Sequence, residues 1–360
     1  MTMLRRTLLI TFMLVSLAFL IERQQASQSK RTKKSPRREK ISKRKTPRPP
    51  VTSFVSDSGG RELIVRLLDI GQGDATYIRN GSSRIIIDGG PDTAVFGRYL
   101  DSLGLNNSTI DVVILSHQHL DHYSGLRELF QTARHIRVRY FLENKDRAPA
   151  ISLAELRDSI LSRIDRDSLI YRDTDDPCAD GRPICTITMT GGAKLHILAP
   201  LPQGDGPNNR SAAVKLVGPD SASFTMWLAG DAEHEEIDWF EATGYDRNPG
   251  MHVNVLKADH HGSCNGVTPR YLALTHPQWV VASLGVRNDY GHMHEQAKQI
   301  YKRAGTPWYR TDQNGTITIR SPGTPRAGFT ITPERNGVDL NGPSDRVSRQ
   351  VGCSSDVPGG

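Results

Sequence analysis

The segment Ser116-His117-Gln118-His119-Leu120-Asp121-His122 places three imidazoles and a carboxylate within six consecutive positions, directly behind the apolar run Val112-Val113-Ile114-Leu115. A chain that leaves a buried strand and at once presents His-x-His-x-Asp-His offers nitrogen and anionic oxygen donors to metal ions. His117 and His119, two residues apart, can converge on one ion if the backbone stays extended; Asp121 and His122 are better placed to turn toward a second. Imidazole with carboxylate suits zinc, manganese or iron, whereas magnesium and calcium prefer all-oxygen shells. A lone histidine would read as a solvated or core-satisfied side chain. Four donors at this spacing read as a metal loop.

Two later segments repeat the pattern of a buried strand followed by donors. Residues 224–229 run into Gly230-Asp231, and residues 253–258 run into Asp259-His260-His261-Gly262-Ser263. Turns use Gly-Asp everywhere, but beside a metal loop Asp231 becomes a candidate carboxylate bridging two ions. Neighbours on an extended chain point opposite ways. One of the two histidines should therefore bind metal while the other supports a ligand or touches substrate; His261 is the choice for ligand, with His260 close behind. Asp121 and Asp231 are the residues expected to carry the catalysis.

Strands must deliver these loops to one place. A strand over 63–69 stops at Gly71-Gln72-Gly73-Asp74, and a second over 75–78 turns at Asn80-Gly81 into a third over 84–88. Asn-Gly between two β-rich runs signals a hairpin. The pattern then predicts a helix over 96–103, a buried strand over 111–115, a helix over 123–133 and a strand over 136–142. An amphipathic helix over 152–164 gathers Leu153, Leu156, Ile160, Leu161 and Ile164 on one side. Further strands are expected at 185–189, 194–198, 212–217, 224–229, 253–257, 279–283, 316–320 and 328–332, with helices at 233–243 and 295–303. Strands first, then alternating helices and strands, twice over, predict an α/β fold: an αββα four-layer sandwich of two face-to-face sheets with helices outside. Sites then fall on loops at one edge, where strand ends meet.

The chain of 360 residues, 37% hydrophobic and 24% charged, is long enough for an ample core. Its four cysteines, Cys178, Cys185, Cys264 and Cys353, lack C-x-x-C spacing, which argues against a zinc ribbon. The net charge of +7 is misleading. Residues 1–50 hold 14 of the 46 Lys and Arg and 2 of the 39 Asp and Glu, so the remainder carries 32 against 37, a balance of −5. Attraction for polyanions therefore belongs to the amino-terminal segment and not to the folded part. Residues 1–26 read as a signal peptide or signal-anchor: Arg5 and Arg6 precede the apolar stretch 8–21. That implies export, with secretion or anchoring both open. Residues 27–60 read as a disordered basic linker. It is either a solvated spacer or an adhesive for nucleic acid or an anionic envelope or membrane surface. The folded domain is placed at 61–332 and a loose tail at 333–360. The short polar loop between Cys178 and Cys185 allows a disulfide after export.

His-x-His-x-Asp-His, then Gly-Asp, then His-Gly, resembles the metallo-β-lactamase superfamily. Finer motifs narrow it: Leu68-Asp69-Ile70-Gly71-Gln72-Gly73-Asp74-Ala75, Ile87-Asp88-Gly89-Gly90, Asn208-Asn209-Arg210-Ser211, His260-His261-Gly262-Ser263, Asn288-Asp289-Tyr290-Gly291-His292 and Thr311-Asp312-Gln313-Asn314-Gly315 occur in order. Over roughly 61–322 they resemble the metallohydrolase domain of ComEC-type DNA-uptake channels and its free-standing relatives. The resemblance implies a dinuclear hydrolase. His117 and His119 would hold the first ion; Asp121, His122 and His261 the second; Asp231 would bridge. Asp88 would orient the His loop, and Asp74 is either structural or close to the site. Where many superfamily members supply a third histidine to the first ion, residues 205–211 contain none and Asn208 stands there. His292 matches a family histidine followed here by Met293 in place of proline, and reads as substrate-proximal. Ser263 reads as a loop hydrogen-bonder.

The implied activity is that of an exported metal-dependent hydrolase with two divalent ions, zinc first and manganese as the alternative. Two such ions sharing a water bring its pKa near neutrality, so that the bridging hydroxide is the nucleophile. A polyanionic substrate, DNA above all, gives a phosphodiesterase or nuclease. The alternatives are small phosphoesters, envelope phosphodiesters or lactone and lactam substrates, and a non-enzymatic envelope-binding protein that has kept the fold.

Overall fold

The computed structural model describes residues 60–146, 150–286 and 288–342. The expected signal or anchor, nearly all of the basic linker and the tail beyond 342 lie outside the described residues. Short apolar runs, most of them buried on both faces, fold into two sheets. The first, of eight strands, has β1 (Leu63–Leu67), β2 (Thr76–Asn80), β3 (Ser83–Ile87), β4 (Thr109–Ile114), β5 (Arg137–Glu143) and β6 (Ile170–Asp173) in sequence order across it, with β14 (Ile317–Ser321) and β15 (Thr330–Pro333) added beyond β1. The second runs in order from β7 (Ile184–Thr188) through β8 (Lys194–Leu198), β9 (Ala213–Val217), β10 (Thr225–Leu228), β11 (Val255–Lys257) and β12 (Trp279–Ala282) to β13 (Trp308–Arg310). The Asn80-Gly81 hairpin pairs Asn80 with Ser83, and Gly81 supplies the positive φ of 61° that the turn needs.

Three apolar clusters show the layering. One lies between the sheets and joins Leu63, Val65 and Ile85 to Leu195, Leu216 and Val255. A second packs the outer face of the first sheet, through Ile86 and Val113, against α1 (Thr93–Ser102) and α3 (Ile151–Asp167). A third packs Trp227, Leu256 and Val280 of the second sheet against α4 (His234–Ala242), α5 (Pro269–Thr275) and α6 (Glu295–Arg303). Three interfaces make four layers, so the fold is the expected αββα sandwich.

Some elements differ from expectation. The helix predicted over 123–133 is one α-turn, α2 (Leu120–Tyr123), followed by 3₁₀ turns at Ser124–Phe130 and Thr132–Arg134. Backbone contact explains it: a Cβ on Gly125 would meet the Gly89 carbonyl at 2.0 Å, and Gly89 N–H donates to the His122 carbonyl at 2.7 Å. The segment is shaped by the site and not by helix propensity. Helix α5 was not expected, although Thr268 caps it on Tyr271 N–H and Pro269 opens it, a readable start signal. Residues 334–342 are pinned and not loose: Arg310 donates to Gly342 O at 2.8 Å and Lys298 to Asn341 O at 2.9 Å. Cys178 and Cys185 form a disulfide, and Cys264 is also disulfide-bonded.

Candidate metal centre

Strand ends carry every donor to one edge of the sandwich. Parallel β3 and β4 deliver Asp88 and the His117–His122 loop; parallel β10, β11 and β12 deliver Asp231, His261 and the loop to His292. Ala212 N–H donates to Ser116 O at 2.9 Å and joins the two sheets there. Glycines permit the close approach. A Cβ on Gly73, at φ 141°, would fall 2.2 Å from the Asp121 carbonyl, and one on Gly230, at φ 56°, 2.8 Å from Ser116.

One carboxylate oxygen is the meeting point. Asp231 Oδ2 lies 3.2 Å from His122 Nε2, 3.2 Å from His261 Nε2 and 3.8 Å from His117 Nε2. His117 Nε2 is 3.0 Å from His119 Nδ1, and His261 Nε2 is 3.2 Å from Asp121 Oδ2. Two donor sets thus share Asp231: His117 with His119, and Asp121 with His122 and His261. The rings are aimed from behind. His122 Nδ1 donates to Asp88 Oδ2 at 2.9 Å, while Asp88 accepts the Ser116 N–H and hydroxyl, both at 2.8 Å. His261 Nδ1 donates to the Ser283 carbonyl at 2.9 Å. Fixing one ring nitrogen leaves Nε2 as the donor toward an ion.

Asp74 also lies close, within 4.8 Å of donor atoms on His122, Asp231 and His261. It faces the wrong side of the rings. Its oxygens are 3.9 Å from His122 Nδ1 and 3.7 Å from His261 Nδ1, the nitrogens already committed to Asp88 and Ser283. Its partner is Lys257, whose Nζ sits 2.5 Å from Asp74 Oδ2, 2.7 Å from Gly230 O and 4.0 Å from Asp231 Oδ1. Asp74 therefore supports the centre and does not complete it. Sequence reasoning missed Lys257, a lysine buried at the end of an apolar strand.

The remaining expected residues surround the centre. His260 Nδ1 lies 3.0 Å from Glu233 Oε1, which also accepts from Asn208 Nδ2 at 2.8 Å. Glu233, which the sequence did not single out, links both. Asn208 Oδ1 is buried without a hydrogen-bond partner. Ser263 Oγ accepts from Asn265 N–H at 3.3 Å and caps the next turn. His292 packs against His260 and His261, ring centroids 5.2 and 5.8 Å apart, with Gln72 Nε2 at 3.4 Å from its Nδ1. Beside His117 a cavity of about 280 Å³ opens, lined in part by Gln118, Asn144, Asp146 and Arg210.

The donor set fits divalent metal. Four buried or half-buried carboxylates, Asp74, Asp88, Asp121 and Asp231, face one buried ammonium, and the buried Asp231 Oδ1 and His261 Nε2 lack hydrogen-bond partners. Nitrogen and carboxylate donors together favour zinc-like ions. Without an ion, protons occupy the charge gap. Burial alone would keep His261 and His122 neutral, but Asp231 and the neighbouring carboxylates outweigh it, pushing His261 up to about 10 and His122 well above its usual range. Burial and the adjacent His122 hold His117 well below its usual value. Ligation requires neutral rings, so an ion must displace the His122 and His261 protons at pH 7, and affinity rises with pH. Zinc titration by calorimetry in buffers of different ionisation heat is expected to show proton release. A heat independent of buffer would refute it.

Residues 68–146 match the metallo-beta-lactamase superfamily. The chain is similar to ComE operon protein 3 of Bacillus subtilis (strain 168), 24% identical over 297 residues, which is 77% of this chain and 35% of that protein. It is also similar to competence protein ComA of Neisseria gonorrhoeae, 22% identical over 272 residues, 71% of this chain and 32% of that one. The match thus spans about a third of each relative's length. The metallo-beta-lactamase fold protein YhfI from Bacillus subtilis aligns at 14% identity over 69% of this chain and 96% of its own, with a TM-score of 0.43. With its His-x-His-x-Asp-His loop and its two-sheet sandwich, the chain is similar to the metallo-β-lactamase superfamily over residues 68–146 and gathers Asp and His side chains that could hold a metal.

Proposed function

We propose that the chain is a metal-dependent phosphodiesterase acting on DNA. The observation that carries this reading is the sharing of Asp231 Oδ2 by two donor sets, the arrangement needed to hold two ions side by side. His117, His119 and Asp231 would hold one; Asp121, His122, His261 and Asp231 the other. Bound there, the ions would supply Lewis acidity and a water of lowered pKa. The chain's own groups do the rest. Asp88 and the Ser283 carbonyl lock the two rings, Lys257 holds Asp74 in an ion pair, and the half-exposed Asp121 marks the side open to substrate. No side-chain nucleophile is required, and Ser263 is engaged in its own turn.

DNA as substrate is supported by the similarity to the two competence proteins over most of the described residues. Export belongs to the same proposal. Its support is the amino-terminal sequence pattern together with the Cys178–Cys185 disulfide, a bond that persists in oxidising compartments. Among the described residues no helix is long and apolar enough to cross a membrane. The decisive assay incubates the full chain with single- and double-stranded DNA, with zinc or manganese and with a chelator. Cleavage that needs the metal is expected. Turnover of bis-(p-nitrophenyl) phosphate with DNA untouched would instead assign a small or envelope phosphoester, and no cleavage of either would overturn the reading.

A further inference from the structure

Tyr290 stands on the surface, 56% exposed, yet its position is fixed from several sides. Its ring stacks on His292, centroids 5.6 Å apart and planes within 22°. His292 is buried and itself packs against His261, 5.8 Å away and tilted by 32°. The loop holding both is pinned. Asn288 Oδ1 accepts His292 N–H at 2.7 Å, Asn288 Nδ2 donates to His292 O at 2.7 Å, and His294 Nε2 donates to Tyr290 O at 3.0 Å. Rings therefore step from a candidate metal ligand, through a buried imidazole, to an aromatic face open to solvent.

Single exposed aromatics on a protein surface usually need no explanation. This one differs because its other face is covered by a side chain of the site and its backbone is already ordered. A rigid flat ring of this kind presents stacking area at little entropic cost on binding. We propose that Tyr290 is a stacking platform for an unpaired base or other flat ring attached to the phosphodiester held at the centre. The proposal rests on the phosphodiesterase reading above and gives it a substrate class: single-stranded nucleic acid, whose bases can turn outward, ahead of paired duplex. Leu120, 55% exposed between His119 and Asp121, adds a second apolar surface in the ligand loop.

Zinc-loaded full chain should be titrated with a phosphorothioate-linked hexathymidylate, which resists cleavage, and with its abasic counterpart. Tighter binding of the oligomer with bases is expected, by about fivefold or more, since a stacked base contributes ~1–3 kcal/mol. Tyr290→Ala should abolish most of that difference, whereas Tyr290→Phe and Tyr290→Trp should retain it. Equal affinities for the two oligomers in the wild type would overturn the proposal, as would a ratio unchanged in Tyr290→Ala. Hydrolysis of the ordinary phosphodiester hexamer, measured separately, reports on the phosphodiesterase reading. Its failure would leave the binding ratio to decide the platform alone.

Discussion

Asp231→Asn should empty both halves of the centre at once. Zinc per chain, measured by elemental analysis after dialysis against a weak chelator, should fall from two toward zero, because Asp231 Oδ2 faces His117, His122 and His261 together. His119→Ala, by contrast, should cost one ion and leave the set of Asp121, His122 and His261 loaded. Hydrolysis by Asp231→Asn should fall by at least ~10³-fold, beyond the ~10–100-fold typical of losing an outer partner such as Asp88. In the metal-free chain the amide also removes the charge that pairs with protonated His122 and His261, so the fold of the metal-free variant is compared with that of the metal-free wild type by circular dichroism. That separates the loss from simple unfolding. A variant that still retained two ions would show that Asp231 does not bridge.

How much of the centre is legible in the sequence follows from where each donor sits in the chain. The His117–His122 loop was readable because its donors are consecutive and follow an apolar strand, so local geometry fixes their convergence. Asp231 and His261 were readable because each repeats that strand-then-donor pattern. The layering is legible in the order of elements, strands first and then alternating helices and strands, twice over, although the strands Ile170–Asp173 and Trp308–Arg310 are not. For Asp74 the sequence leaves a structural role and a place near the site equally open, since the side of the rings it faces depends on Asp88 and Ser283 having taken Nδ1. Glu233 was missed for a similar reason: its link to His260 and Asn208 spans three loops and no local pattern shows it. The 3₁₀ path of 124–130 was hidden because Gly125 answers to the distant Gly89 backbone, a tertiary demand that overrides an otherwise helical sequence.

Lys257 was the largest omission, and its removal should have the largest effect on stability. A lysine ending an apolar strand ordinarily extends its ammonium to water. Here Nζ is enclosed and donates to Gly230 O and Ala258 O while neutralising Asp74 at 2.5 Å. Burial disfavours that charge, but Asp74, Asp231 and Asp259 more than compensate, and the lysine is held above its usual pKa. Lys257→Met leaves Asp74 buried near Asp231 without its ammonium partner. Breaking a buried pair from one side costs about 3–5 kcal/mol, which for a domain of this size lowers Tm by roughly 10 °C. Because the lost charge also steadied Asp74 and the Gly230-Asp231 turn, metal content should change as well, although Lys257 cannot itself bind the ion while protonated. The double variant Lys257→Met with Asp74→Asn decides between lost packing and lost charge. If the charge dominates, the second substitution recovers most of the stability, because no unpaired ion remains inside. Additive losses in thermal unfolding would mean that the aliphatic stem and its two carbonyl contacts, and not the ion pair, hold the two loops together.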